Sequence, residues 1–345
     1  MIRNISIFVV LCFCLAGCFE TQNTARTIQI DTPLGMADYL QSLNLPTLES
    51  VQEWENQYGD GLLITTTHYR IYTTLLEPLM LSQVPGFMES AYRAYQNQFP
   101  KKIGTNSKFD VYLFATRKQW DDFTLDFVGS LAPLYHKIKK GAYYLNGACV
   151  SYNIGRERTF LVLGHEGWHQ FNSRHFKFRL PSWLDEGIAM LFETSRYEEG
   201  LFVFDPSQNL QRLGGLKQTM IKKKMIPLKS LVGMNPGEVV MAEDPDSVGA
   251  FYSQAYALVR FLREESYGKR LTNYHAILMA GLNGTWPLEQ TARMIAADRN
   301  IPLTIGWNRF VGRKLFEEYI SNDFDQIEKE YITFCRKLVY HIHFK

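Results

Sequence analysis

Three residues within five positions could do metal chemistry: His165, Glu166 and His169, in the run Leu161 to Gln170 (LVLGHEGWHQ). In a helix, residues four apart lie one turn apart on the same face. His165 and His169 can therefore offer two imidazoles to one metal ion, with Glu166 beside them as a base. Such a pair needs a third ligand, and Glu186 lies seventeen residues after His169 in the run Pro181 to Ala189 (PSWLDEGIA). Pro181 blocks a helix arriving from upstream, and Ser182 with Asp185 three residues later fits a capping box. A second helix is thus predicted to start near Trp183, with Glu186 in its first turn. The helix dipole favours a carboxylate there, and its side chain leans back toward the N-terminal end and the first helix. Phe171 to Leu180 is long enough to turn the chain between the two. The first helix also carries Gly164 and Gly167 in its interior, each costing about 1 kcal/mol relative to Ala, which implies that another element crosses it closely. Trp168, between the two His, reads as core packing.

HEGWHQ followed by PSWLDEGIA resembles the gluzincin metallopeptidases, the zincins whose third ligand is a Glu in a WL-x-EG-x-A segment, and among them the peptidase MA-like families. The match is specific over residues 160–195. It extends more loosely over residues 62–265, through Thr67 to Thr73 (THYRIYT) and Tyr252 to Leu262 (YSQAYALVRFL). The resemblance implies that His165, His169 and Glu186 bind Zn2+ and that Glu166 is the general base. It also implies an α+β, zincin (thermolysin-like) fold, with an N-terminal lobe holding a mixed sheet and the HExxH helix, and a mostly helical C-terminal lobe. Gluzincins often have a Tyr that donates its hydroxyl to the oxyanion; Tyr252 matches its place, Tyr256 is the other candidate, and both also fit as rim residues of an amphipathic helix. Asp185 and Glu193 are the nearby carboxylates that could hold the imidazoles.

In such families the strand before the active-site helix runs along the cleft and pairs with the substrate backbone. That role falls to part of Gly147 to Tyr152, unless this is an ordinary edge strand. Aminopeptidase gluzincins carry an acidic residue in this region, whereas Gly141 to Asn153 contains no Asp or Glu, which favours an endopeptidase acting on a peptide or protein. Two other readings stand beside this one. The first is a catalytically silent envelope binding or assembly protein on a zincin scaffold; the second is a zinc hydrolase acting on a non-peptide amide.

The N-terminus suggests where this chemistry takes place. Arg3 precedes an apolar run from Ile5 to Ala16 that is too short to span a bilayer comfortably, so Met1 to Gly17 reads as a signal peptide. It ends in Leu15-Ala16-Gly17-Cys18, which resembles a bacterial lipobox with Cys18 as the lipidated residue. The expected location is extracytoplasmic, anchored to a membrane by lipid. Phe19 rather than Asp follows the cysteine, which by resemblance to Gram-negative lipoproteins permits outer-membrane sorting where the host has an outer membrane. The folded part keeps only Cys149 and Cys335, either as one disulfide or as two free buried thiols.

Composition agrees with an enzyme-sized globular protein. Of 345 residues, 46% are hydrophobic and 14% aromatic, enough for an extensive core. The net charge of +2 gives no footprint for nucleic acid. The run Lys222-Lys223-Lys224 reads as a helix C-terminal complement on a solvated surface. By segment, the expectation is a signal peptide at 1–17, lipid anchor and tether at 18–45, the sheet and metal-binding helices at 46–205, and a helical lobe at 206–345. Pro33 to Tyr58 is expected to hold short helices, and Leu62 to Leu75 one strand, with Thr65, Thr67, Tyr69, Ile71 and Thr73 on one side. Further elements are a helix over Gln83 to Phe99, a strand over Phe109 to Ala115, and a hairpin or edge strand over Gly141 to Asn153. Helices follow over Leu210 to Lys224 and Val248 to Glu265, with four more to the C-terminus. His341 and His343 read as surface residues.

Overall fold

The computed structural model describes residues 30–139, 141–241, 244–301 and 303–343; the predicted signal peptide, Cys18 and the first part of the tether lie outside them. Helix α1 (Pro33–Ser42) starts at Thr32, whose hydroxyl accepts from the Gly35 N–H, and buries Met36, Ala37 and Leu40. Residues from 33 onward therefore belong to the folded part, and the expected tether through residue 45 is too long. Strand β1 (Leu48–Glu53) follows where short helices were expected; it buries only Val51, so its sequence lacks the alternation that would have marked it.

The run from Leu62 forms two strands rather than one. In β2 (Leu62–Thr66) the buried positions are Leu62, Ile64 and Thr66, and in β3 (Tyr69–Thr73) they are Tyr69, Ile71 and Thr73. The buried set changes parity across the link Thr67-His68, as a two-residue hairpin connection requires. No Gly, Pro or Asn marks that turn. It is held instead by Glu89 of α2 (Val84–Gln96), whose carboxylate accepts from Thr66 Oγ1 at 2.7 Å and the His68 N–H at 2.8 Å. Strand β4 (Phe109–Phe114) leads into α3 (Arg117–Val128), which opens with a capping box from Thr116 and Gln119. After a single helical turn at Ala132–Tyr135, β5 (Ala142–Leu145) and β6 (Ala148–Tyr152) make a tight hairpin, its tip the left-handed pair Asn146 (φ 49°) and Gly147 (φ 85°).

The six strands form one mixed sheet in the order β1-β2-β3-β4-β6-β5, with β3, β4 and β6 parallel and the other pairings antiparallel. Phe109, Val111, Leu113 and Cys149 face the main core on one side. Phe114, Val150 and Tyr152 face a second cluster with Trp120 and Phe123 of α3 on the other. This α+β arrangement continues into a mostly helical C-terminal part. The HExxH segment lies in α4 (Arg156–His175), the second candidate helix is α5 (Ser182–Ala189), and a two-stranded hairpin β7 (Ser195–Glu198) and β8 (Leu201–Phe204) packs on α2.

Then come α6 (Leu210–Ile221) and the long α7 (Pro245–Gly268), whose regular helical backbone ends before Glu265. The last four are α8 (Leu271–Asn283), α9 (Gln290–Ala297), α10 (Ile305–Tyr319) and α11 (Phe324–Leu338). Helix α7 packs against α5, α6, α8 and α11 and is the hub of this part. Lys222 and Lys224 are not merely solvated: both reach Asp246 in the first turn of α7, at 2.7 and 2.8 Å. Cys149 and Cys335 are free and buried. His341 and His343 are exposed, beyond the last helix. Among the described residues, no helix is long and apolar enough to cross a membrane.

Candidate metal centre

Helix α4 lies against β5 and β6 and buries Phe160, Leu163, Trp168 and Phe171; Phe160 stacks on Phe87 of α2, and Trp168 and Phe171 meet Tyr95 of the same helix. This orientation leaves His165, Glu166 and His169 on the side facing α5. Its two interior glycines are explained by what crosses there. A Cβ at Gly164 would run into the carbonyl of Phe192, and one at Gly167 into the hydroxyl of Tyr95, which itself donates to the Gly164 carbonyl at 2.7 Å. The backbone of α4 is thereby fixed against α2 and against the 3-10 turn Met190–Phe192 that follows α5.

Helix α5 begins as Pro181 predicts, but without a capping box. Ser182 Oγ donates to Asn308 of α10 at 3.0 Å, and no side chain caps the helix. Asp185 is occupied elsewhere: its Oδ1 accepts from Trp168 Nε1 at 2.9 Å and from Asn172 Nδ2 at 2.8 Å, and lies 3.2 Å from His169 Nδ1. Because the helix starts at Ser182, Glu186 sits one residue beyond the first turn. Gly187 lets α5 approach α7, since a Cβ there would stand 2.6 Å from the Ala255 carbonyl.

The result is a convergence of His165, His169 and Glu186. One ligand atom from each lies within 4.8 Å of the other two. His165 Nε2 is 3.4 Å from Glu186 Oε2, and His169 Nε2 is 3.9 Å from Glu186 Oε1. Ligand atoms placed tetrahedrally about 2.1 Å from a zinc ion would be about 3.4 Å apart, so the donor set fits such an ion. Both Nδ1 atoms point away toward carboxylates: His169 to Asp185, and His165 to Glu193 Oε1 at 3.0 Å. In the neutral ring these contacts favour the Nδ1–H tautomer, whose Nε2 can bind a metal ion.

Glu193 is itself held on three sides. Arg212 of α6 donates from Nε at 2.8 Å and from Nη2 at 2.6 Å, and Asn209 Nδ2 donates at 2.9 Å. Burial alone would raise the Glu193 pKa; the hydrogen bonds from Arg212 and His165 outweigh it and hold the carboxyl down at about 2. The imidazoles respond to the same acids. Burial works against protonation, but Glu186 and Glu193 lift His165 to about 10 and Asp185 lifts His169 to about 9. Four carboxylates, Glu166, Asp185, Glu186 and Glu193, thus surround two imidazoles with one paired guanidinium, a surplus of negative charge suited to a divalent cation.

Glu166 is half-buried beside the pair. Burial raises its pKa, and the Tyr144 N–H of β5 bonds to it. The expected role of Gly147 to Tyr152 as a substrate-pairing edge is corrected by the sheet order. Strand β6 is paired on both sides, with β4 and β5, so its ladder is filled; the edge is β5, Ala142–Leu145. Tyr252 of α7 comes close to the acids: burial and then Glu186 push its pKa up, and Arg212 sits over its ring at 5.5 Å. Its hydroxyl has no hydrogen-bond partner among the described residues. Tyr256 is fully buried, with its hydroxyl donating to the Pro206 carbonyl and accepting from Arg260 at 3.1 Å, so it is committed to the core.

A pocket of about 620 Å³ opens onto Glu166, His169 and Glu186, bounded by Tyr144 to Gly147 on one side and by Arg179 and Arg299 among its other residues. Sequence reasoning missed Arg212, Asn209 and these two arginines. They lie at the start of α6 and in two separate loops, and only the fold brings them to the site. No protein-family model matches the chain, and no curated protein matches it.

Proposed function

We propose that the protein is a zinc-dependent peptidase of the gluzincin type with a zincin fold, an endopeptidase tethered outside the cytoplasm by a lipid on Cys18. The observation that carries the catalytic part is the convergence of His165 Nε2, His169 Nε2 and the Glu186 carboxylate, each imidazole backed by its own carboxylate, Glu193 and Asp185. Three protein donors leave an open position, as in catalytic rather than structural zinc sites. Zinc, when bound, supplies Lewis acidity, polarising a carbonyl and lowering the pKa of water. Glu166 takes the proton from the attacking water and passes it to the leaving amine. Tyr252, with its unpaired hydroxyl, donates to the oxyanion. The outer edge of β5 offers backbone groups to an extended peptide, and the Asn146-Gly147 tip borders the pocket. The tether and the location rest on the lipobox resemblance of Leu15 to Cys18.

The test is metal content and peptide cleavage measured together. About one zinc per chain, lost in His165→Ala and Glu186→Ala, supports the ligand set. Glu166→Gln should keep the metal and abolish hydrolysis of a peptide library. A wild type that binds zinc and cleaves no peptide would remove the peptidase reading, and zinc retained by Glu186→Ala would remove the third ligand.

A further inference from the structure

The wall of the metal-site pocket carries two arginines that the proposed chemistry does not use. Arg179 lies in the connection between α4 and α5, and Arg299 two residues beyond α9; both line the pocket that holds Glu166, His169 and Glu186. Each is anchored by backbone. Arg179 Nη2 donates to the Ile295 carbonyl, and Arg299 donates from Nη2 to the Phe176 carbonyl at 2.8 Å and from Nε to Ser173 Oγ at 3.1 Å.

What is missing is a directly bonded anion; Asp298 acts on Arg179 and Asp185 on Arg299 without an ion pair. Several other buried or half-buried arginines have a carboxylate partner: Arg117 has Asp121, Arg212 has Glu193, Arg260 has Glu264 and Arg270 has Glu265. Neither Arg179 nor Arg299 forms an ion pair among the described residues; Arg179 is half-buried, and Arg299 is exposed at the pocket rim. Burial and the charge of Arg299 both push the Arg179 pKa down, which puts the two guanidiniums within electrostatic reach of one another. Arg179 Nε is buried without a hydrogen-bond partner, and so is Oδ1 of Asn172, a pocket residue only 6% exposed. A half-buried guanidinium with an unpartnered N–H beside a second positive charge is unfavourable unless a ligand completes it, and a carboxylate matches a guanidinium fork best.

We propose that Arg179 and Arg299 form an anion subsite that takes a carboxylate of the peptide substrate. The proposal rests on the peptidase reading and deepens it by naming the substrate feature. The carboxylate is either the peptide's C-terminus, which would make the enzyme act near that end, or an Asp or Glu side chain near the scissile bond. Asn172 Oδ1 adds an acceptor for an N–H of the same peptide.

The test measures binding, so that it does not depend on turnover. Zinc-loaded full-length Glu166→Gln protein is immobilised and offered a randomised hexapeptide library with free C-termini, and the same library amidated; retained peptides are sequenced by mass spectrometry. At least tenfold preference for carboxylate-bearing peptides is expected. General retention of the free-acid library assigns the C-terminus. Enrichment of Asp and Glu over Asn and Gln in both libraries assigns a side chain. Arg179→Gln and the charge-retaining Arg299→Lys should each reduce the preference at least fivefold. Equal retention of acid and neutral peptides, including no retention of either, overturns the subsite without recourse to any variant. A preference unchanged in both arginine variants also overturns it, since the carboxylate is then bound elsewhere. Failure of the wild type to cleave either library sinks the peptidase reading alone.

Discussion

At the scale of single residues, the site depends on carboxylates that touch imidazoles rather than the ion. Replacing Glu193 by Ala leaves His165 Nδ1 without its acceptor and Arg212 buried without its counter-charge. Zinc affinity should fall about 10- to 100-fold, and a metal-competition titration would show it; an unchanged affinity would mean that Glu193 matters only for packing. Arg212→Ala should give a weaker form of the same loss, because Asn209 still bonds to Glu193. The two tyrosines separate cleanly. Tyr252→Phe removes a hydroxyl with no internal partner, so stability should hold while kcat drops by roughly 10²- to 10³-fold, the range for one oxyanion donor. Tyr256→Phe removes a hydroxyl bonded to Pro206 and Arg260 and should lower thermal stability while sparing kcat. The reverse pattern would exchange their roles.

At the scale of elements, the helices that carry the candidate metal ligands are positioned by close approach. Helix propensity alone says that Gly→Ala in a helix stabilises by about 1 kcal/mol. Packing says the opposite at Gly164 and Gly187, where an added Cβ meets backbone carbonyls of Phe192 and Ala255. Gly164→Ala and Gly187→Ala should each destabilise by about 1–3 kcal/mol in denaturant unfolding and loosen metal binding as α4 and α5 separate; stabilisation by either would show that the crossing can relax. The HExxH helix and the strands of Phe109–Phe114 and Ala142–Tyr152 were legible because periodicity and turn residues agree there. The hairpin at Thr67-His68 was not, because it has no turn residue of its own and is held by Glu89 from another helix. The cap expected from Ser182 and Asp185 failed for a related reason. Both side chains found partners in tertiary contacts, Asn308 for one and His169, Trp168 and Asn172 for the other.

At the scale of the whole molecule, one apolar core runs from Met36 of α1 to Ile342, linking the sheet side to the C-terminal helices through α5 and α7. Unfolding should therefore be a single calorimetric transition, and residues 206–345 alone should not fold; two resolved transitions would contradict this. Acid sensitivity has a specific contributor in His175. Burial, helped by Arg174, holds its pKa down to about 4 from 6.5. The neutral ring is the folded form, so its contribution is complete above the unfolded pKa of 6.5 and is lost as pH falls through 4. Between pH 7 and 4.5 that amounts to about 1–2 kcal/mol, allowing for partial solvation of the ring. His175→Gln should lose less stability than the wild type over this interval when urea unfolding is compared at both pH values; parallel losses would exclude His175 as a source.

The sequence by itself determined the candidate donors: His165 and His169 share a helix face because 3.6 residues make a turn, and Pro181 starts a second helix that carries Glu186. It also determined the α+β class, since the strand and helix periods are both written in the apolar residues. Only the tertiary structure decided what surrounds the donors. Glu193, Arg212 and Asn209 come together from the turn after α5 and from α6, and Arg179 and Arg299 from two loops 120 residues apart in the chain. Buried charges find their partners through space, and no local period in a sequence records such a meeting. The same holds for the sheet edge, where strand order, set by which ladders are already filled, makes Ala142–Leu145 rather than Ala148–Tyr152 the strand with backbone groups to offer.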